Sequence, residues 1–390
     1  MALSESIRGI LTTRNYQLPV GLDGTRLAQW QLRDGSTYAE TRALIAAAFD
    51  GYNEEALTVW DDLITVTPED HFEYPNGGTV IEMVKRVSGE TRPPLVSGFT
   101  TGHMIDLAIW WQGIGGDEYF FRDARRPTIL ASVSGLAQSG RNLFDKALLV
   151  RAMTTTENLL GTNGYDVPFC NGSPGTLKFA PQQWNGQVFQ DTHNHYLAFD
   201  SGSKTYDDVF TSLAQTVNEH GHNGPYTAFV SEGDVPTIRA LTNYIKPVNN
   251  INIIDRGGLT TGAQYFENGL ILSTPPTGTR YIGAYDTGYG TVALRATYRI
   301  PSIINNTNGY VFLYKSYGST DARNPLAVRY HPDMGFGFRI KEIPSYDTTW
   351  PVKEIEVETE YGISCGINRT VGACAEIGSG VSTYQNPTIN

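Results

Sequence analysis

PTILASVSGLAQSGRNLFDKALLVRAMTTTENLLG, residues 127–161, is the stretch on which the reading of the fold turns. Ile129, Val133, Leu136, Ala137, Gly140, Leu143, Phe144, Ala147, Val150 and Met153 recur every three or four residues, the spacing of one face of an α-helix. Pro127 suits a first helical turn, and Gly161 closes the stretch. The pattern predicts a helix over 128–160, on the order of 50 Å long at 1.5 Å per residue, against a usual three or four turns. With polar residues interleaved and no strict heptad, it reads as a spine. Gly135 and Gly140 each cost about 1 kcal/mol relative to alanine in a helix interior. Either another group approaches the backbone there or the helix bends; two helices broken at Gly140 are the alternative.

Upstream, Thr37 and Glu40 form a capping-box pattern, and Leu44, Ile45, Ala48, Phe49 and Tyr52 follow at helical spacing, with Gly51 as the expected stop. Residues 1–35 read as an extended arm that needs a host surface. From 61 to 122 the text is that of a long β-rich excursion. Asn76-Gly77-Gly78 is a turn signal, 81–87 a strand, and Pro93-Pro94 a helix breaker. The apolar runs 104–111 and 118–121 are separated by a turn at Gly113-Ile114-Gly115-Gly116. Trp110 and Trp111 are expected to lie against a neighbour.

Downstream, 206–220 is amphipathic, with Val209, Phe210, Leu213, Ala214 and Val217 on one face; Gly221 and Pro225 end it. A strand is expected at 226–230, then a helix that includes Pro236 and Leu241 with Asp234 as its N-cap. Further strands are read at 251–254, 270–273, 280–285, 292–300 and 310–314. Near the end Ile355, Val357, Thr359, Tyr361, Ile363, Cys365 and Ile367 alternate strictly with other residues, as in a long two-faced strand. Its other face carries Glu354, Glu356, Glu358 and Glu360. Such a row is expected to be solvated unless an arginine crosses to it.

Composition narrows the function. The 390 residues carry 29 Lys and Arg against 40 Asp and Glu, a net charge of −11, with 40% apolar residues and only 18% charged. That supports a sizeable core and excludes a disordered chain. Gly (41) and Pro (20) exceed their usual combined share of about 12%, which favours many turns. No basic run is longer than Arg125-Arg126, so a dedicated or sequence-specific nucleic-acid binder is not expected. No apolar stretch approaches the ~20 residues of a membrane span. No secretory signal is read in the first residues, so a cytoplasmic product is expected. Cys170, Cys365 and Cys374 lack CxxC spacing and read as ordinary buried thiols.

One cluster has the look of chemistry. His193 and His195 form an HxH pair, and His220-Gly-His222 is a second. An HxH on a strand can present two imidazoles to one metal, so a metal-dependent hydrolase using His193 and His195 is one reading. Against it, the first pair lies in a polar loop, and the second sits at a helix end where a cationic histidine suits the dipole. Gly283, Gly288 and Gly290 make a glycine-rich turn between strands, unsuited to cradling phosphate. No catalytic, cofactor or metal residue is assigned, no cofactor is expected, and the chain reads as a subunit rather than an enzyme.

The order of elements resembles that of the major capsid proteins of tailed bacteriophages, which have the Hong Kong 97-type fold. The matching features are an N-terminal arm, a β-rich loop, and a long helix running into Glu157-Asn-Leu-Leu-Gly-Thr-Asn-Gly164. The helix 206–220, the phrase PYTAFVSEGDVPTIRAL at 225–241, and a terminal strand ending near Gly372-Ala-Cys-Ala-Glu-Ile377 complete them. The resemblance implies an α+β fold with residues 1–60 as arm and 61–122 as extended hairpin loop. A peripheral domain would comprise 123–200 and 331–390, carrying the spine helix and the long strand, and 201–330 would be the axial domain. It implies self-assembly through pentamers and hexamers into an icosahedral head shell enclosing viral DNA, in a virion assembled in the host cytoplasm. Portal, separate scaffolding and decoration proteins would be the partners. An encapsulin-like nanocompartment shell is the alternative within structural proteins.

Overall fold

Helix α1, Tyr38–Val59, does not stop at Gly51. The turns on both sides of that glycine are anchored: Phe49 lies against Phe338 with ring centroids 5.5 Å apart, and Asn53 Oδ1 accepts the Phe338 N–H at 2.7 Å. Those contacts outweigh about 1 kcal/mol of glycine propensity. The computed structural model describes residues 33–35, 38–74, 101–116, 123–160, 163–172, 181, 184, 187, 189–190, 192–246, 264–265, 271–272, 279–304, 307–343 and 353–389. The residues of the expected arm up to 32, the capping Thr37 of the helix after it, the turn at 76–78, the strands at 81–87 and 251–254 and the apolar run 118–121 lie outside them.

In chain order, α1 is followed by strands β1 (Ile64–Thr67), β2 (His71–Tyr74), β3 (Thr101–Met104) and β4 (Ala108–Gly116), then helix α2 (Arg126–Met153). Next come β5 (Asn158–Leu160), β6 (Asn163–Tyr165), β7 (Tyr196–Asp200), helix α3 (Tyr206–Asn218), β8 (Tyr226–Ser231), the short helix α4 (Val235–Arg239) and β9 (Tyr244–Ile245). The remaining strands are β10 (Gln264–Tyr265), β11 (Ile271–Leu272), β12 (Thr279–Asp286), β13 (Thr291–Thr297), β14 (Asn308–Tyr314), β15 (Leu326–Arg329), β16 (Arg339–Ile343), β17 (Lys353–Cys365) and β18 (Gly372–Gly378). This is a mixed α+β architecture. The chain divides into one unit of 1–58, 107–145 and 329–362, and a second of 59–106, 146–328 and 363–390.

Helix α2 is continuous through Gly140, so the broken-helix alternative is excluded. Gly140 is there because the Phe338 ring presses on the backbone: a Cβ at this position would clash with the edge of that ring, whereas one at Gly135 would meet nothing within 4 Å. We expect Gly135→Ala to stabilise the protein by up to about 1 kcal/mol and Gly140→Leu to destabilise it by about 1–3 kcal/mol through overpacking, read as shifts of urea midpoint. Equal effects at the two glycines would contradict this account.

The helix also ends earlier than its periodicity implies, at Met153 rather than Leu160. Its last carbonyls are taken by side chains: Tyr196 Oη and the Cys374 thiol donate to Ala152 O at 3.1 and 3.2 Å, and Tyr384 Oη donates to Met153 O at 2.7 Å. Buried helix ends need such partners, and once these are in place residues 158–160 pair with 163–165 as a hairpin.

In the first unit, β17 is flanked by β16 and β4, both antiparallel, with Arg339 opposite Glu358, and Glu358 opposite Trp111. Strand β4 runs on through Gly113–Gly116 because each of these residues has a partner on β17, which overrides the turn signal. Val357, Thr359 and Tyr361 form the buried face, where Val357 joins Ile45, Phe49, Ile129, Val133 and Ala137, and Phe144 meets Tyr361 edge to face at 5.2 Å.

The second unit is built on a seven-stranded sheet of order β7-β18-β14-β8-β13-β12-β9. Helix α3 buries Val209, Phe210, Leu213, Ala214 and Val217 against Val230, Leu294, Leu313, Ala373 and Ala375, as its amphipathic pattern requires. The opposite face is aromatic. Phe229, Phe312 and Tyr314 stack at 5.3–6.3 Å, with Phe169 and Trp60 beside them. Asp234 occupies the N-cap position of α4 as expected, but its side chain does not bond the helix N–H groups; it is buried and accepts hydrogen bonds from Tyr206 Oη at 2.7 Å and Ile303 N–H at 3.1 Å. The terminal alternation is two strands rather than one: β17 ends at Cys365, and β18 enters the other sheet.

Candidate functional site

Within the second unit, three of the four histidines of the two HxH pairs meet. His195 sits immediately before β7, where the parallel pairing of β7 with β18 fixes its backbone: its N–H donates to Cys170 O at 2.7 Å and its C=O accepts from Cys374 N–H at 2.8 Å. Its ring Nδ1 lies 2.8 Å from Gly372 O. A carbonyl can only accept, so Nδ1 carries the proton and the neutral ring leaves Nε2 with a bare lone pair. His193 is one step back along the same loop, its N–H held by Gln190 O at 3.0 Å.

Glu219 caps the C-terminus of α3, and His220 follows it. Gly221 then takes φ +84°, a left-handed conformation suited to glycine, and returns its N–H to Asn218 O at 2.8 Å. This turn aims His220 at the loop: its Nε2 lies 3.1 Å from His195 Nε2 and 3.0 Å from His193 Nε2. Glu219 Oε1 is 3.3 Å from His193 Nε2. Phe189 covers one side, 4.1 Å from the His220 ring and 4.9 Å from that of His193.

The imidazoles are neutral at pH 7. Burial, then the neighbouring rings of His220 and His193, holds His195 well below the usual histidine range. Burial, followed by His193 and His222, takes His220 down to about 3, and burial lowers His193 as well. Burial raises the Glu219 carboxyl. The cationic histidine expected at the helix end is thus corrected to a neutral one, because desolvation and neighbouring imidazoles outweigh a helix dipole's attraction of about 0.3–1 kcal/mol.

The second HxH pair splits. His222 faces away and bonds Tyr317 Oη at 2.6 Å and Thr370 Oγ1 at 2.8 Å. The three cysteines are buried free thiols; burial pushes Cys170 up to about 11 and Cys365 up to about 12. Gly288 and Gly290 lie in the turn joining β12 to β13, as expected, whereas Gly283 lies within β12, at a shift of register against β13. Near the start of α2, the Arg126 N–H donates to Asp34 Oδ2 at 2.9 Å.

A second surface of interest lies in the first unit. On the face of β4 opposite the core, Ile109 and Trp111 are 59% and 66% exposed. Trp110, on the other face, stacks on Tyr361 at 6.5 Å. The expected solvated acidic row is corrected for Glu358 and Glu360, which flank Arg339 at 3.4 and 3.1 Å with all three side chains largely buried. Sequence alternation located these carboxylates but could not supply an arginine from another strand. Among the described residues, no helix is long and apolar enough to cross a membrane.

No family model matches the sequence, and no curated protein matches it. Among solved structures, the chain shares its fold with one from Mycobacterium phage Patience: 18% identity, TM-score 0.58, covering 96% of this chain and 97% of that one. Weaker likenesses are found to the capsid of a native GTA particle (11% identity, TM-score 0.46, covering 83% and 91%) and to the holo-encapsulin complex of Synechococcus elongatus PCC 7942 (11%, TM-score 0.40, covering 99% and 100%). Of these three, the first establishes a shared fold.

Proposed function

We propose that the chain is the major capsid protein of a tailed bacteriophage, a structural subunit that closes into an icosahedral head around viral DNA. The observation that carries this reading is the end-to-end likeness in fold to a phage chain, over 96% of the residues. It agrees with the order of elements read from the sequence. In this reading the fold is of the Hong Kong 97 type, and α2 is the spine helix. Residues 1–60 are the arm and 61–122 the extended loop, both overlapping adjacent subunits. Residues 123–200 and 331–390 form the peripheral domain, and 201–330 the axial domain of pentamers and hexamers. Portal, scaffolding and decoration proteins are its partners, assembly is in the host cytoplasm, and the subunit catalyses nothing.

Two features support a shell. Overlapping segments bury more surface per subunit than edge contacts, and many weak contacts add through multivalency. The exposed pair Ile109 and Trp111 supplies an apolar contact of the kind that marks an interface. A net charge of −11 keeps the wall from adhering to enclosed DNA.

Expression of the full chain, alone and with its neighbouring gene products, followed by negative-stain electron microscopy and light scattering, tests this. Closed shells tens of nanometres across, or rings of five and six subunits, are expected. Trp111→Glu should reduce shell yield at least tenfold with the subunit's circular dichroism and Tm unchanged. A monomer or dimer under all conditions would overturn the reading, and shells that enclose enzymes instead of DNA would favour a nanocompartment.

A further inference from the structure

We infer that His193, His195 and His220 form a binding site for one divalent transition-metal ion of the zinc class, with the Glu219 carboxylate beside His193. The site stands on its own geometry, whichever assembly the chain builds.

The first argument is one of protons. Neutral His195 presents a bare Nε2, because its Nδ1–H is committed to Gly372 O. His220 Nε2 stands 3.1 Å from that lone pair and 3.0 Å from His193 Nε2. One N–H on His220 makes one straight hydrogen bond, so the two N···N contacts cannot both be satisfied by neutral rings. A cation shared by the three lone pairs satisfies all of them at once.

The second argument is geometric. Zinc–nitrogen bonds of 2.0–2.1 Å in a tetrahedron put ligand atoms about 3.3–3.4 Å apart. The two N···N distances are 3.0 and 3.1 Å, the His193 Nε2 to Glu219 Oε1 distance is 3.3 Å, and the three ring nitrogens lie within 4.8 Å of one another.

The third argument is chemical. Three imidazoles suit a borderline divalent ion. Gly372 O orients His195 through its Nδ1–H, the usual outer partner of a ligating histidine. The carbonyl end of α3 supplies favourable negative potential. Its effect is to tie the 189–195 loop to the end of α3 and, through Gly372, to the start of β18.

The test uses full-length protein without a polyhistidine tag, washed with chelator and titrated with Co2+ alone. The expected result is one equivalent per chain, with the intense visible absorption of a four-coordinate ion that Zn2+ displaces. His193→Ala should weaken Co2+ binding at least 100-fold and Glu219→Gln about tenfold, while His71→Gln, on an exposed histidine elsewhere, leaves it unchanged. Zn2+ should raise the Tm of the wild type by several degrees and not that of His193→Ala. His193 and Glu219 are partly exposed, so at least one variant should fold even if the other does not. Less than a tenth of an equivalent bound, or undiminished binding by folded His193→Ala or Glu219→Gln, would overturn the proposal. Shell formation is scored separately, so the two readings fail independently.

Discussion

Arg295→Ala is expected to destabilise the second unit by about 3–5 kcal/mol at pH 7, the range for removing one partner of a buried ion pair. Arg295 is 2% exposed on β13, at the end of the aromatic face of the sheet. Its guanidinium donates to Asp62 Oδ2 at 2.9 Å and lies 5.9 Å from the centroid of Phe229. Tyr314 Oη donates to the same carboxylate oxygen at 3.2 Å. Next to it, Asp61 is pushed up to about 6, first by burial and then by the charge of Asp62, against the pull of a Ser319 hydrogen bond and of Arg295. Without the arginine both carboxylates face a poorly solvated site with no countercharge.

The pH dependence separates charge from shape. A carboxyl whose folded pKa is raised contributes stability that is fully present below its unfolded value, near 3.8, and lost as the pH rises through about 6. In Arg295→Ala that pKa rises further, so the deficit should be largest at pH 7 and shrink to under about 2 kcal/mol at pH 4.5, relative to wild type at the same pH. Urea denaturation at the two pH values checks this. A deficit independent of pH would mean that the arginine acts through contact with Phe229. Arg295→Met combined with Asp62→Asn should recover most of the loss, since neutral replacement of a whole buried pair costs little.

Arg339→Ala should cost the first unit about 3 kcal/mol or more. Arg339 stands opposite Glu358 in register and also holds Glu360. The two glutamates lie two positions apart on one face of β17, with side chains only 16% and 13% exposed. Truncation leaves two like charges side by side in poor solvent. Calorimetry should show the lowered transition persisting in 0.5 M NaCl, because screening by salt is weak for buried groups. Adding Glu358→Gln and Glu360→Gln to Arg339→Ala should restore most of the Tm; a shift of under about 1 °C for Arg339→Ala itself would show the three groups to be solvated.

What could be read in advance was what is local. The apolar periodicities of α2 and α3 and the alternation of β17 come from residues a few positions apart, and they located these elements. Boundaries decided by distant partners were misread: Gly51 inside α1, Met153 as the end of α2, and Gly113–Gly116 as strand depend on Phe338, Tyr384 and β17. The histidine cluster shows the same division. The HxH spacing marked His193 and His195, but only the fold brings His220 to them and sends His222 to Thr370. Arg339 and Arg295 carried no local signal, since their carboxylate partners arrive from other segments.

Strand β18 lies between β7 and β14, bonded to both, although β7 and β14 precede it in the chain. During synthesis β7 therefore has no neighbour to join until residues 372–378 have left the ribosome, while β14, β8, β13 and β12 can already associate. The slow, long-range closure of the sheet is postponed until β18 has emerged. Interrupted chains lack the segment that joins β7 to the rest of the sheet, so a chain cut short before residue 372 cannot close it.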